Sequence, residues 1–131
     1  KGITDEQETM VSINPEIISC LATKTKSQEG CLSFPKQRVM IEREASIVIK
    51  AQDLSGEWRE QTATGSFAIA VQHEMDHLEG KLIVDYASPF VRENINRRMK
   101  KFNKEFGDQQ KLITKLQNKI ESMRKTNELD K

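Results

Sequence analysis

The chain has 131 residues, 36 % of them hydrophobic and 31 % charged, which suits one soluble-type domain around one modest core. No apolar run reaches the ~18 residues of a membrane-spanning helix, which excludes a helical membrane anchor within this sequence. Net charge is +1, but residues 1–87 hold 9 Lys/Arg against 14 Asp/Glu, whereas 88–131 hold 12 against 6; an acidic body with a basic tail suits an anionic partner for the tail, or a solvated lysine-rich helix.

The alternation from Met10 to Ile13 predicts a short strand that stops at Asn14-Pro15, because proline cannot donate to a ladder. Residues 19–33 read as extended pieces around Gly30. The stretches RVMIERE and ASIVIKAQD are strand-like, and LSGE, Leu54–Glu57, is a turn returning into WREQTA. The first half is therefore mainly β. From Thr64 to Leu78 the pattern becomes helical, with Thr64 or Ser66 as the cap. Gly80 is placed to end that helix as a left-handed residue. Its first turns are apolar on most faces, which predicts burial in the middle of the domain. Ser88-Pro89 opens a second helix. It carries one stripe at Ile95, Met99, Phe102 and Phe106 and, past Gly107, another at Ile113, Leu116, Ile120 and Met123.

The only two histidines, His73 and His77, stand in the sequence QHEMDHLEG, an H-E-x-x-H pattern. On a helix, positions four apart share a face, so both imidazoles can reach one metal ion. Glu74 beside them can hold a water and take its proton. A third ligand is required. No histidine follows His77, and position 83 is Ile, so the metzincin pattern fails. Glu79 and Glu93 are available downstream, and Cys31, in the sequence QEGCLSFP, is available upstream as a soft thiolate. A disulfide between Cys20 and Cys31 is compatible with their spacing; Cys20 otherwise reads as a small buried residue.

Gly30-Cys31-Leu32-Ser33 followed by Gln72-His73-Glu74-Met75-Asp76-His77-Leu78 resembles peptide deformylase, and the resemblance spans most of residues 10–100. It implies an α+β fold, with antiparallel β-sheets packed around a central metal-binding helix, and a long C-terminal helix. It implies Cys31, His73 and His77 as ligands of one divalent ion, Fe²⁺ or alternatively Zn²⁺ or Ni²⁺, with Glu74 as general base and then acid. The Leu32 N–H would be an oxyanion donor. Glu29, Gly30, Arg38, Ile69 and Ala70 would line the substrate site, and Arg43, Gln72 and Asp76 would support it from behind. The implied reaction removes the N-formyl group from N-formylmethionyl nascent peptides, in a bacterial or phage-infected cytoplasm or in an organelle.

The family's first signature, G-x-G-x-A-A-x-Q, whose Gln is an oxyanion donor, is absent from this sequence. Gln7 and Gln28 stand in other contexts, so an N-terminal part is expected ahead of Lys1. Losing one such donor typically costs ~10²–10³ in turnover. The expected organisation is a catalytic domain over 1–106 and a basic helical extension over 107–131. By resemblance the extension docks on the ribosome; its 3–4 apolar spacing over 109–128 also suits a homodimer. A non-catalytic docking module on the same scaffold and an H-E-x-x-H metalloprotease are the competing readings.

Overall fold

The computed structural model describes residues 10–21 and 23–129. In chain order these form β1 (Ile13–Cys20), β2 (Lys24–Cys31), β3 (Phe34–Glu44), β4 (Ser46–Gln52), β5 (Trp58–Thr64), α1 (Gly65–Leu78), a 3₁₀ turn (Ile83–Tyr86) and α2 (Pro89–Leu129). One antiparallel sheet has the order β1-β4-β5, and the other is the hairpin β2-β3. The architecture is α+β, as the sequence predicts.

Each sheet has its own core. Ile47, Ile49 and Ala63 of the first sheet bury against Ala68 of α1, with Val71 and Met75 packed alongside. Val39 and Ile41 of β3 bury against Ile83, Val84 and Ile95, with Cys31 and Met99 at the edge. The strict alternation of β3 and β4 explains this, since every second side chain of each strand is buried. Gln72 joins the two halves: its side chain accepts from the Glu44 N–H at 3.0 Å and donates to the Glu44 carbonyl at 2.9 Å.

Four local expectations differ from the structure. Asn14-Pro15 lies inside β1 rather than ending it. The ladder skips from Ile13 opposite Gln52 to Glu16 opposite Lys50, so Pro15 sits in a bulge of an edge strand where no donor is needed. Asn14 adopts φ +51° there, and its side chain spans the gap to Gln52 at 2.8 Å. Cys20 is exposed at the end of that strand, and both cysteines are free. Thr64 occupies the cap position of α1 without a side-chain cap bond; the corner is made instead by Gly65 at φ +58°, whose N–H bonds the Ala45 carbonyl. Finally, α1 is buried only at Ala68 and Gln72. Between it and the first sheet lies an apolar groove of about 520 Å³, lined by Ile49, Phe67, Val71, Met75 and Leu78 and reaching Glu74 and His77.

Gly80 does take the left-handed conformation, φ +75°. The Ser88 hydroxyl accepts from the Val91 N–H at 3.3 Å and so caps α2. α2 then runs unbroken through Gly107 for 41 residues, about 60 Å at 1.5 Å per residue. Ile95 is 2 % exposed and Met99 packs beside it. Packing of the first stripe on the domain ends short of Phe106, which is 52 % exposed: the helix has left the domain by that turn.

Candidate active site

Cys31 is the last residue of β2 and the histidines sit one turn apart on α1, so the two sheets must both be in place before the three meet. One donor atom from each of Cys31, His73 and His77 falls within 4.8 Å of the others. Cys31 Sγ is 3.6 Å from His77 Nε2. Two ligands of a tetrahedral ion, a sulfur at ~2.3 Å and a nitrogen at ~2.0 Å, are ~3.5 Å apart. The Cys31–His77 pair is therefore at the separation of two ligands on one ion.

The imidazoles are also oriented for it. His73 Nδ1 donates to Glu29 Oε1 at 2.9 Å, and His77 Nδ1 to the Lys81 carbonyl at 3.1 Å. A carboxylate and a carbonyl only accept, so both protons sit on Nδ1 and each Nε2 keeps its lone pair for the ion. Burial opposes the Cys31 thiolate, but bonds from the Ser33 backbone and hydroxyl, and from His73 and His77 when the imidazoles are protonated, outweigh it and hold the thiol at about 7. Sulfur and two imidazoles suit several divalent metals and do not choose among them.

Behind the ligands lies a buried charged network. Glu29 takes a two-pronged bond from Arg43, Nε at 2.8 Å and Nη2 at 2.9 Å. Arg43 Nη1 bonds Asp76 Oδ2 at 2.6 Å, and the Tyr86 hydroxyl donates to the same oxygen at 2.6 Å. Burial raises the Glu29 carboxyl, but Arg43 and His73 more than offset it and leave it below its ordinary value. Asp76 is likewise penalised by burial and lowered by Tyr86 and Arg43. Burial lowers the His73 imidazole, while Glu29 and then Cys31 raise it, with a net upward shift. Tyr86 was not among the sequence candidates. It is the only tyrosine, five residues after Lys81, and its role depends on the 3₁₀ turn, which leaves no local signature.

Two hollows flank Gly30. One, about 260 Å³, is lined by Glu29, Gly30, Ser66, Ile69, Ala70, His73 and Glu74, which brings sequence candidates from β2 and α1 together and adds Ser66. The other, about 370 Å³, is lined by Gly30, Cys31, Leu32 and Arg38 among others. Arg38 thus lines a different hollow from Ile69 and Ala70. It reaches there because the hairpin bulges: Glu29 pairs with Val39 but Cys31 with Phe34, and Lys36 sits at φ +60° within the extra residues. Glu74 is exposed at the mouth of the first hollow. Its carboxylate has no hydrogen bond or ion pair among the described residues. Gln72 is the clamp on Glu44 and does not face the ligands.

The family model described as polypeptide deformylase matches residues 1–93. A curated peptide deformylase of Polynucleobacter necessarius is 50 % identical over 105 residues, which are 79 % of this chain and 61 % of that protein. A crystal structure of a peptide deformylase from Legionella pneumophila superposes with a TM-score of 0.73 at 38 % identity, over 79 % of this chain and 60 % of that one. One from Ehrlichia chaffeensis gives 0.66 at 36 %, over 70 % and 51 %. The chain thus spans about three fifths or less of the length of these relatives. With the family match covering the Cys31 corner and both histidines, the chain belongs to the peptide deformylase family.

Proposed function

We propose that this chain carries the metal-binding part of an enzyme that removes the N-formyl group from N-formylmethionyl peptides, with water as co-substrate and formate and the free amine as products. The convergence of Cys31, His73 and His77 beside an unpaired Glu74 at the mouth of a hollow supports this reading. The ion would be held by those three side chains. It would supply a Lewis acid and ease the ionisation of water. Fe²⁺ is the ion proposed, with Zn²⁺ or Ni²⁺ able to occupy the same donors.

The chain's own residues do the rest. Glu74 takes the proton from the attacking water and returns it to the departing nitrogen. The Leu32 N–H meets the oxygen on which charge develops. Glu29 and the Lys81 carbonyl keep the imidazoles from rotating. Ile69 and Ala70 offer an apolar wall to the methionine side chain, next to Glu29 and Gly30, and Arg38 borders the other hollow. The catalytic unit is proposed over 1–106 and the basic extension over 107–131, sharing one helix. Among the described residues no helix is long and apolar enough to cross a membrane, and a cytoplasmic or organellar interior is proposed, where nascent chains are made.

The extension favours a ribosomal partner through its outer face. Arg97, Lys104, Lys111 and Lys125 stand at multiples of seven, on one basic line of an exposed helix, suited to phosphate backbone.

The deciding experiment measures formate release from a formyl-Met peptide alongside metal content. Glu74→Gln should keep the metal and lose at least ~10²-fold in rate. Equal loss of metal and rate would make Glu74 structural, and no formate from a metal-loaded chain would overturn the reading for this chain.

A further inference from the structure

The apolar stripe of α2 does not stop where the domain does. Ile95 and Met99 belong to the core built on β3. The same stripe continues as Phe102, Phe106, Ile113, Leu116, Ile120 and Met123. The last five are each 45–58 % exposed. The spacing alternates four and three throughout, apart from the polar Gln109, and so repeats every seven residues across Gly107. Gly107 itself lies off the stripe, where an added side chain would meet nothing. A 3.5-residue average spacing is what keeps one helix in contact with another over several turns. From Phe102 to Met123 that apolar line is ~32 Å long, a continuous surface that a monomer rarely leaves in water.

We propose that this line is covered by the same line of a second copy of the chain, running antiparallel, with Ile113 of each copy opposite Leu116 of the other. The inference is independent of the catalytic reading. Two observations select the occupant and its sense. The first is steric. The domain packs on the seam side of α2 at Ile95 and Met99, so a partner helix cannot extend over those turns. A parallel, in-register partner would have to, because its own residues 89–99 would lie there. In the antiparallel register, residue 129 of the partner falls opposite residue 100, just clear of the domain.

The second is charge. The residues flanking the stripe are Glu105, Leu112 and Lys119 on one side, and Gln110, Gln117 and Arg124 on the other. A parallel pair would set Lys119 against Arg124 of the partner subunit twice over. The antiparallel pair sets Lys119 beside the partner subunit's Leu112, Arg124 beside the partner subunit's Asn103, and Gln110 beside the partner subunit's Gln117. No like charges meet, and flanking charges are what fix orientation in paired helices. The lysines at 104, 111 and 125 point to the opposite face, which argues against nucleic acid as the occupant of the apolar line.

The test is sedimentation equilibrium of the full chain over a range of concentrations, in a Cys20→Ser background. The expected mass is twice 15.0 kDa, falling to one chain for Ile113→Glu/Ile120→Glu at the same concentrations, with metal content unchanged. A single-chain mass throughout, or a dimer that survives both glutamates, overturns the proposal. The sense is read by disulfide trapping: Leu116→Cys alone should give no linked dimer, and Ile113→Cys/Leu116→Cys should give one. Linkage by Leu116→Cys alone would mean a parallel pair and would overturn the arrangement. Loss of formate release with the dimer intact would count against the catalytic reading only.

Discussion

Glu29 and His73 are joined by a 2.9 Å hydrogen bond from the imidazole Nδ1 to a carboxylate that Arg43 already holds from its other side. A proposed ligand is thereby fixed in rotation and tautomer by a residue 44 positions earlier in the chain. Glu29→Gln keeps the shape but removes the charge and pairs a neutral amide with Arg43. Metal affinity should fall ~10–100-fold, read by competition with a chromophoric chelator. Unchanged affinity would show that the imidazole is held by packing alone.

Cys31→Ser exchanges a thiolate for a neutral hydroxyl at the metal position. Because the thiol is already held at about 7, the native residue needs little work to become a ligand near neutral pH. The variant should lose most of its metal at equilibrium and with it the formate release. Retention of both would remove Cys31 from the ligand set and leave the third position to a carboxylate.

The buried network also sets acid stability. Glu29 and Asp76 both have folded-state values below their ordinary ones. Their contribution is thus fully present above the unfolded carboxyl range, ordinarily about 4. It is lost as pH falls through the lowered folded values. Denaturation midpoints of the metal-free protein should be flat from about pH 6 to 5 as far as these groups go, and drop below about 4. Arg43→Met leaves two carboxylates without their cation and should cost ~3–5 kcal/mol at neutral pH. It should also flatten the acid limb. A variant with wild-type stability at neutral pH would mean that water already screens the network.

The ribosome association proposed for the basic line of α2 should be salt-sensitive. Changing Lys104, Lys111 and Lys125 to Glu should abolish co-sedimentation while formate release from a free peptide is kept. For single substitutions, the slope of log affinity against log salt should become shallower by ~0.7–0.9 for every phosphate no longer neutralised. Co-sedimentation with an unaltered slope would place the docking surface elsewhere.

Much of this architecture is legible from period alone. The twofold alternation of β3 and β4 and the switch to a helical pattern after Thr64 follow directly from which side chains must be buried. The residues that converge, Cys31, His73 and His77, could be proposed as ligands because H-E-x-x-H and G-C-L-S are local, and a local pattern survives in one dimension. What escapes is whatever depends on two distant segments at once. Pro15 reads as a strand end until the edge position and the bulge opposite β4 are known. Arg43 and Asp76 can be named as neighbours of the site, but Tyr86 joins them only through the turn at Ile83–Tyr86. Phe106 looks like its stripe-mates Ile95 and Met99, and only the length of the domain along α2 separates buried from exposed.

The site straddles the two sheets, and this has a consequence for the chain as a polymer. Cys31 and His77 are 46 positions apart, so an ion held by both ties a loop of that length. By chain entropy a covalent tie across such a loop is worth about 4 kcal/mol. The proposed metal centre would at the same time fasten two half-cores that are otherwise joined by Gln72, the Glu29–His73 bond and the Arg43 network. Oxidation of the one sulfur to a sulfinate would therefore loosen a mechanical join as well as a chemical one.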